Sequence, residues 1–114
     1  MRGRLNYLEL PAAATAPGKA FYSRVMGWSF TDFGPDYAAT TTGDTDVGID
    51  ADARGRTTLL PVIEVDDLEA VLERVEAAGG VVTVPIFAFP GGRRFHFRDP
   101  DGHELAAMVP AEDG

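Results

Sequence analysis

The chain of 114 residues contains no cysteine, which excludes thiolate catalysis, cysteine-bound zinc and disulfide bonds. Basic residues are also scarce, since ten lysines and arginines stand against 18 aspartates and glutamates and give a formal net charge of −8. A face that binds nucleic acid or an anionic membrane needs an excess of positive charge, so we expect neither partner. No apolar run approaches the roughly 20 residues of a membrane-spanning helix.

The start of the sequence has no apolar signal core, because Arg2 and Arg4 are followed by mixed residues. Together with the lack of cysteine, this predicts a cytoplasmic protein. Hydrophobic residues make up 45% of the chain and charged residues 25%, which is typical of a soluble globular protein. We therefore predict one domain over residues 1–114.

The predicted elements repeat in the same order along two modules, at about 4–50 and 57–110, with residues 51–56 as an exposed connection. Hydrophobic patterns and turn residues predict a strand, a helix and three strands in the first module, at 5–11, 17–26, 28–33, 37–42 and 47–50. The second module repeats this order at 59–65, 67–78, 81–87, 93–98 and 103–109.

The two helices carry start and stop signals. Pro17 favours the first helical position, and Gly27 favours a left-handed C-terminal end. Asp66, with Glu69 three residues later, predicts the N-cap of the second helix. Apolar residues at helical spacing mark one face of each helix: Phe21, Tyr22, Val25 and Met26 in the first, and Leu68, Val71, Leu72 and Val75 in the second.

Three segments in this order resemble the vicinal oxygen chelate superfamily of glyoxalase I, bleomycin-resistance proteins and extradiol dioxygenases. They are Phe-Tyr-Ser-Arg-Val-Met-Gly-Trp at 21–28, Glu-Val-Asp-Asp-Leu at 64–68 followed by Gly79-Gly80, and Phe-Arg-Asp-Pro-Asp-Gly-His-Glu-Leu at 97–105. The chain is most similar to the short subgroup related to lactoylglutathione lyase. The resemblance implies an α+β fold in which two βαβββ modules form a curved mixed sheet around a cup, with the helices on its convex face. It also implies a ligand site in the cup and a homodimer.

Metal-dependent members of this family bind a divalent ion through His, Gln or Glu side chains on four strands. The corresponding positions in this chain are Tyr7, Gly48, Leu60 and Ala106. Glycine, leucine and alanine offer no side-chain ligand, and a divalent Lewis acid needs imidazole or carboxylate groups. We therefore predict no metal site and no cofactor.

His96 is the strongest catalytic candidate. Strand alternation places His96 and Arg94 on one face and Phe95 and Phe97 on the other, where the two rings would pack under a helix. A hairpin at Asp99–Gly102 would set His96 opposite Glu104. The Glu104 carboxylate would then either tune the imidazole for acid–base chemistry or form a solvated surface pair with it. The predicted catalytic residues are His96 and Tyr7. The predicted substrate-binding residues are Glu9, Trp28, Tyr37, Leu60, Val62, Arg94, Glu104, Ala106 and Met108.

Two functions follow from these candidates. The first is a bleomycin-resistance-like protein that binds a small molecule in the cup without the usual divalent metal. The alternative is a lyase, isomerase or dioxygenase-like enzyme that uses His96 and Tyr7 as an acid–base pair, or an unconventional metal held by His96, Glu104 and Glu9. A third possibility, a purely structural module, predicts a cup that is filled by its own side chains.

Overall fold

The computed structural model describes residues 2–52 and 56–111. The predicted connection at 51–56 therefore lies partly outside the described residues. The elements, in chain order, are β1 (Arg4–Pro11), α1 (Ala16–Met26), β2 (Thr31–Asp32), β3 (Tyr37–Ala39), β4 (Asp46–Asp50), β5 (Leu60–Glu64), α2 (Leu68–Ala77), β6 (Val81–Phe89), β7 (Gly92–Arg98) and β8 (Glu104–Pro110). Within the described ranges, neither helix has the length and apolarity that a membrane span requires.

The contacts divide the chain into two compact units. One is Asn6–Leu60, and the other joins the described residues of Met1–Leu5 to those of Pro61–Gly114. In the second unit, the Arg4 guanidinium lies 3.7 Å from the Glu64 carboxylate. A methyl group added at Gly3 would lie 2.7 Å from a methyl carbon of Ile63. The first residues of the chain thus belong with its second half.

In the unit Asn6–Leu60, the strands follow the order β2-β3-β4-β1. β1 runs parallel to β4, with Tyr7 paired with Asp46 and Pro11 with Asp50, whereas the other neighbours are antiparallel. The connection between the parallel pair contains α1, which is the usual requirement for parallel strands. Gly18 of α1 lies against Ile49 of β4.

The apolar stripe predicted on α1 is not buried. Phe21, Val25 and Met26 are each more than half exposed, and no residue of α1 is fully buried. Tyr22 instead stacks on Trp28, with their ring centroids 5.2 Å apart. The prediction that these residues lie on a helix was correct. The helix is not buried because the small residues Ala16, Gly18 and Ala20 on the rest of α1 add little apolar surface.

The second unit repeats the arrangement of the first, with the strand order β6-β7-β8-β5. β5 runs parallel to β8, and the β6–β7 and β7–β8 pairs are antiparallel. The same order of elements and the same neighbours occur in both halves of the chain. The prediction of an α+β fold with two βαβββ modules is therefore confirmed.

The core of the second unit forms between α2 and one face of its sheet. Leu68, Phe95 and Ala107 are at most 1% exposed. Around them pack partly buried side chains, among them Val71, Leu72, Val75 and Phe97. The predicted apolar face of α2 and the predicted orientation of the two phenylalanines are confirmed.

The N-cap of α2 is Asp67, so the prediction of Asp66 was wrong. The Asp67 carboxylate accepts a hydrogen bond of 3.1 Å from the Ala70 backbone N–H. Asp67 has an extended backbone, which is the conformation that an N-cap requires. Only Asp66 has a glutamate three residues later, so the sequence pattern favoured it, whereas the extended backbone and the hydrogen bond identify Asp67 as the cap.

A buried carboxylate organises the turn between β3 and β4. Asp46 is only 9% exposed, and its Oδ1 accepts hydrogen bonds from the Thr40 hydroxyl at 2.7 Å and from the Thr42 hydroxyl and N–H at 2.8 and 2.9 Å. Its Oδ2 accepts a fourth, from the Gly43 N–H at 3.1 Å. Burial alone would raise the pKa of Asp46, but these hydrogen bonds outweigh it and hold the pKa below its ordinary value.

We expect Asp46→Asn to lower the free energy of unfolding at pH 7 by about 2 kcal/mol, because an amide cannot accept all four hydrogen bonds. The depressed pKa means that this stabilisation is complete above the unfolded-state pKa of about 4 and is lost as the pH falls through the folded-state value. Urea denaturation at pH 7, 5 and 3 should therefore show a difference between wild type and variant that shrinks with acid. Asp36→Asn, at an exposed position, is the control. A difference independent of pH would contradict this account.

Candidate functional site

A chain of polar side chains crosses the sheet of the unit Asn6–Leu60. The Tyr7 and Tyr37 hydroxyls lie 2.5 Å apart, and the Tyr37 hydroxyl donates to Oε2 of Glu9 at 3.1 Å. Arg56 donates from one terminal nitrogen to Oε1 of Glu9 at 3.2 Å and to Asp50 at 3.4 Å. We call these five residues the phenol cluster.

The strand register explains how the phenol cluster forms. Tyr7 and Glu9 are two apart on β1 and therefore project to the same face. Tyr37 opens β3 and pairs with Asp50 of β4, while Gly48 of β4 pairs with both Glu9 and Ala39. Residues from three strands thus meet above one glycine.

Gly48 is the residue that allows the two phenols to meet. A side-chain carbon at Gly48 would overlap the hydroxyl oxygens of both Tyr7 and Tyr37. Gly48 is buried, and its backbone is not in the left-handed conformation that favours glycine. The position therefore requires glycine because it has no side chain, and not because of its backbone freedom. The phenol oxygens occupy the space into which a side chain at this position would project.

The phenol cluster is largely removed from water. Glu9 is 4% exposed, and the side chains of Arg56 and Asp50 are each 17% exposed. Burial raises the pKa of the Tyr37 hydroxyl well above its usual range, and the negative charge of Glu9 and the hydrogen bond with Tyr7 raise it further. Tyr37 therefore keeps its proton. The buried Nε of Arg56 has no hydrogen-bond partner among the described residues.

The four positions implied for a divalent ion do not supply its ligands. The Tyr7 hydroxyl is bonded to Tyr37, Gly48 has no side chain, and Leu60 and Ala106 are aliphatic and fully buried. Among residues 2–52 and 56–111, no group of three or more His, Asp or Glu side chains is placed to hold a metal ion. The chemistry of these residues does not fit the divalent ion that metal-dependent members of the family bind.

A second polar cluster lies on the sheet of the other unit. His96 is 7% exposed, and its Nδ1 lies 3.7 Å from Oε2 of Glu104. The Thr83 hydroxyl donates to the same Oε2 at 2.9 Å and fixes the carboxylate. These groups lie on the sheet face opposite the Phe95 core, as strand alternation predicts.

His96 does not lie directly opposite Glu104, so that part of the prediction was wrong. His96 pairs with Ala106, and Glu104 pairs with Arg98. The reason is the turn: the Asp99 carboxylate accepts from the Asp101 and His103 N–H groups and keeps His103 out of the strand. The hairpin loop therefore spans residues 99–103, and the partner of His96 lies two residues beyond Glu104.

Sequence reasoning missed two aromatic residues beside Arg94. The Arg94 guanidinium carbon lies 5.4 Å from the ring centroid of Phe87 and 5.2 Å from that of Phe89, which is cation–π distance. The Phe87 ring also lies 5.8 Å from the His96 ring. Irregular pairing between β6 and β7 shifts the register before Phe87, and no simple alternation pattern reveals such a shift.

The remaining predicted residues fall in three environments. Trp28 is half-buried and stacks on Tyr22. Val62 is buried, as are Leu60 and Ala106. Met108 is half-buried and pairs with Arg94 on the neighbouring strand. Tyr7 and His96 belong to different units, so their role as an acid–base pair stays a prediction. Arg56, which sequence reasoning missed, carries no local signal because it belongs to the connection between the modules.

The order of elements in two βαβββ modules is the architecture of a glyoxalase-like protein. Residues 4–107 match the model of the Glyoxalase/Bleomycin resistance protein/Dioxygenase superfamily, and the chain belongs to this superfamily. The family resemblance of the sequence is thereby confirmed. Its narrower subgroup stays a prediction.

The chain is similar to CFP32, a candidate glyoxylase of Mycobacterium tuberculosis and Mycobacterium bovis. The identity is 30% over 113 aligned positions, and the match covers 89% of this chain but only 43% of the relative. This chain therefore spans less than half the length of these relatives.

Solved structures share the fold. A hypothetical protein from Bacillus halodurans superposes with a TM-score of 0.79 at 11% identity, over 100% of this chain and 99% of the other. The Mn(II)-bound glyoxalase from Novosphingobium aromaticivorans superposes with a TM-score of 0.73 at 23% identity, over 99% of this chain and 42% of that one. At these identities the likeness concerns the fold alone.

Proposed function

We propose that this glyoxalase-like protein binds a small oxygen-bearing molecule at the phenol cluster and does so without the usual divalent metal. The observation that carries the proposal is the environment of Gly48. A position that the family resemblance assigns to a metal ligand has no side chain, and two phenol hydroxyls fill its space. Hydrogen-bonding groups thus replace the ion as the means of recognising a ligand oxygen.

The chemistry of the phenol cluster supports ligand binding. It combines two phenols, a carboxylate and a guanidinium in a setting where only small fractions of Glu9 and Arg56 meet water. Hydrogen bonds in such surroundings are stronger than in water. Tyr7 and Tyr37 are both half-buried, so part of the cluster is open to an incoming molecule. A homodimer and a cytoplasmic location remain part of the proposal.

The second candidate function is metal-independent acid–base catalysis, as in a lyase or isomerase, centred on His96. It is favoured by the arrangement of a buried imidazole, a carboxylate at 3.7 Å and a hydroxyl that holds this carboxylate. A carboxylate beside a histidine fixes the ring and stabilises its charged form. Under this function His96 is the catalytic residue, with Glu104 as its positioning residue.

One set of measurements tests the proposal and separates the two functions. Metal analysis of protein purified without chelator should find far less than one divalent ion per chain. Titration with cyclohexanol, followed by NMR of tyrosine-labelled protein, should shift the Tyr7 and Tyr37 signals. Tyr37→Phe should weaken this binding several-fold, whereas His96→Gln should leave it unchanged. One divalent ion per chain, with binding lost on chelation, would refute the metal-free site. A loss of cyclohexanol binding in His96→Gln would favour the second function.

A further inference from the structure

We propose that a groove beside α1 in the unit Asn6–Leu60 binds a neutral sugar, as a second small-molecule site that does not depend on the proposed function. The groove has a volume of about 350 Å³, which is within the range of small-molecule sites. One wall follows α1 and includes Trp28 and Ser29, and the other is the turn between β3 and β4, with Thr41, Thr42 and Thr45. We call this cavity the threonine groove.

The threonine groove and the phenol cluster lie on opposite faces of the sheet in this unit. Val47 of β4 lines the groove. Gly48 faces the phenols, so its neighbours Val47 and Ile49 project to the other face. Ile49 lies against Gly18 of α1, which identifies that face as the one that α1 covers. A ligand in the groove would therefore not touch the phenol cluster.

The indole of Trp28 supplies an aromatic wall that its neighbours hold in place. Tyr22 stacks on it with ring centroids 5.2 Å apart, and Phe30 lies edge-on with its centroid 6.3 Å away. Neither of these two residues lines the groove, so the groove adjoins a part of the indole that they leave uncovered. The C–H groups on one face of a sugar ring carry slight positive charge and pack against the electron-rich face of an indole.

The groove offers three hydroxyl groups to a ligand. Ser29, Thr41 and Thr45 are exposed, and within the described ranges their hydroxyls have no hydrogen-bond partner in the protein. A hydroxyl both donates and accepts hydrogen bonds, which matches the hydroxyls of a sugar. None of the described residues that line the groove carries a charged side chain. The lining therefore favours a neutral polyol over an anion or a cation.

Asp46 fixes the wall that bears the threonines. Its carboxylate accepts hydrogen bonds from the Thr40 and Thr42 hydroxyls at 2.7 and 2.8 Å. Those two hydroxyls are thus used inside the turn, whereas the hydroxyls of Thr41 and Thr45 remain for a ligand. A wall that is ordered before binding loses little conformational entropy when the ligand arrives.

The chain has a single tryptophan, so its indole N–H is a direct reporter of the groove. An NMR titration of isotope-labelled protein with methyl β-glucopyranoside should shift the Trp28 indole signal and saturate with a Kd of about 1 mM, as expected for a ligand of this size. Sodium glucuronate, a similar ring with a carboxylate, should bind several-fold more weakly because the lining supplies no cation. The tyrosine signals of the phenol cluster should not move.

Two variants test the recognition by hydroxyls. Thr41→Val and Thr45→Val each remove one hydroxyl and nearly keep the shape of the side chain. Each should weaken the binding of methyl β-glucopyranoside about fivefold. Thr58→Val is the matched control, since Thr58 is an exposed threonine of the same unit outside the groove, and it should leave the binding unchanged.

Each outcome decides the proposal. A Trp28 signal that does not shift, or shifts without saturation, would overturn the site. Unchanged binding in both Thr41→Val and Thr45→Val would overturn the recognition by hydroxyls, and equal binding of glucuronate would overturn the preference for a neutral ring. Benzamide, a planar neutral ring, is the competing kind of ligand, and its tighter binding would overturn the assignment to a sugar. The cyclohexanol titration tests the phenol cluster separately.

Discussion

Leu68→Asp should abolish the folded state, since it places a charge in the best-packed part of the second unit. Leu68 is completely buried and packs with Phe95, Val65 and Ala107. The substitution removes an apolar side chain and buries a carboxylate without a partner. Loss of the leucine contacts alone costs roughly 2–5 kcal/mol, and the carboxylate adds to this, so we expect a loss of at least about 4 kcal/mol. Such a loss is close to the whole stability of many small domains.

Circular dichroism during heating provides the measurement. The Leu68→Asp variant should show no cooperative transition, or one far below that of wild type. Glu73→Asp, on the exposed face of the same helix, is the control and should melt within a few degrees of wild type. A wild-type melting curve for Leu68→Asp would contradict the assignment of the buried face of α2.

Gly48→Ala should destabilise the protein by about 3 kcal/mol, the upper range for overpacking. The added methyl group would overlap the hydroxyl oxygens of Tyr7 and Tyr37, which a strong hydrogen bond holds together. To make room, the phenols must separate, and Tyr37 must also weaken its bond to Glu9. A single methyl group thus disturbs the whole phenol cluster, and the same variant should bind cyclohexanol more weakly.

A mutant cycle shows whether the phenols are the cause. In a protein that already carries Tyr7→Phe and Tyr37→Phe, both overlapping oxygens are gone, although the nearest ring carbon of residue 37 remains close. Gly48→Ala should therefore cost at least about 1 kcal/mol less in this background, as measured by urea denaturation. Strictly additive effects would show that alanine is unfavourable for some other reason.

The sequence signals that proved correct are local. Gly27 adopts the left-handed conformation predicted for a helix end, with its N–H bonded to the Ser23 carbonyl. The periodicity of α2 identifies its buried face, because one helix turn brings residues three and four apart together. The repeated order of elements and the family motifs predict the two modules. These features depend on neighbours along the chain, which a single sequence records.

The features that sequence reasoning missed depend on distant contacts. β2 has two residues and β3 three, although both were predicted with six, because strand length depends on the partner strand. Glu9 has the sequence context of an exposed strand end but is buried against Tyr37 and Arg56. Tyr7, Glu9 and Tyr37 were each predicted as site residues, yet their connection through one hydrogen-bonded chain required the register of three strands.

The assignment of the first few residues to the second half of the chain has a practical consequence. Arg4 contacts Glu64, and Gly3 lies against Ile63, so the unit built on α2 is discontinuous in sequence. A break of the backbone between residues 60 and 61 would leave the unit Asn6–Leu60 whole but would strip the α2 unit of its N-terminal segment. Separate expression of that unit would call for a circular permutant that fuses residues 1–5 behind residue 114.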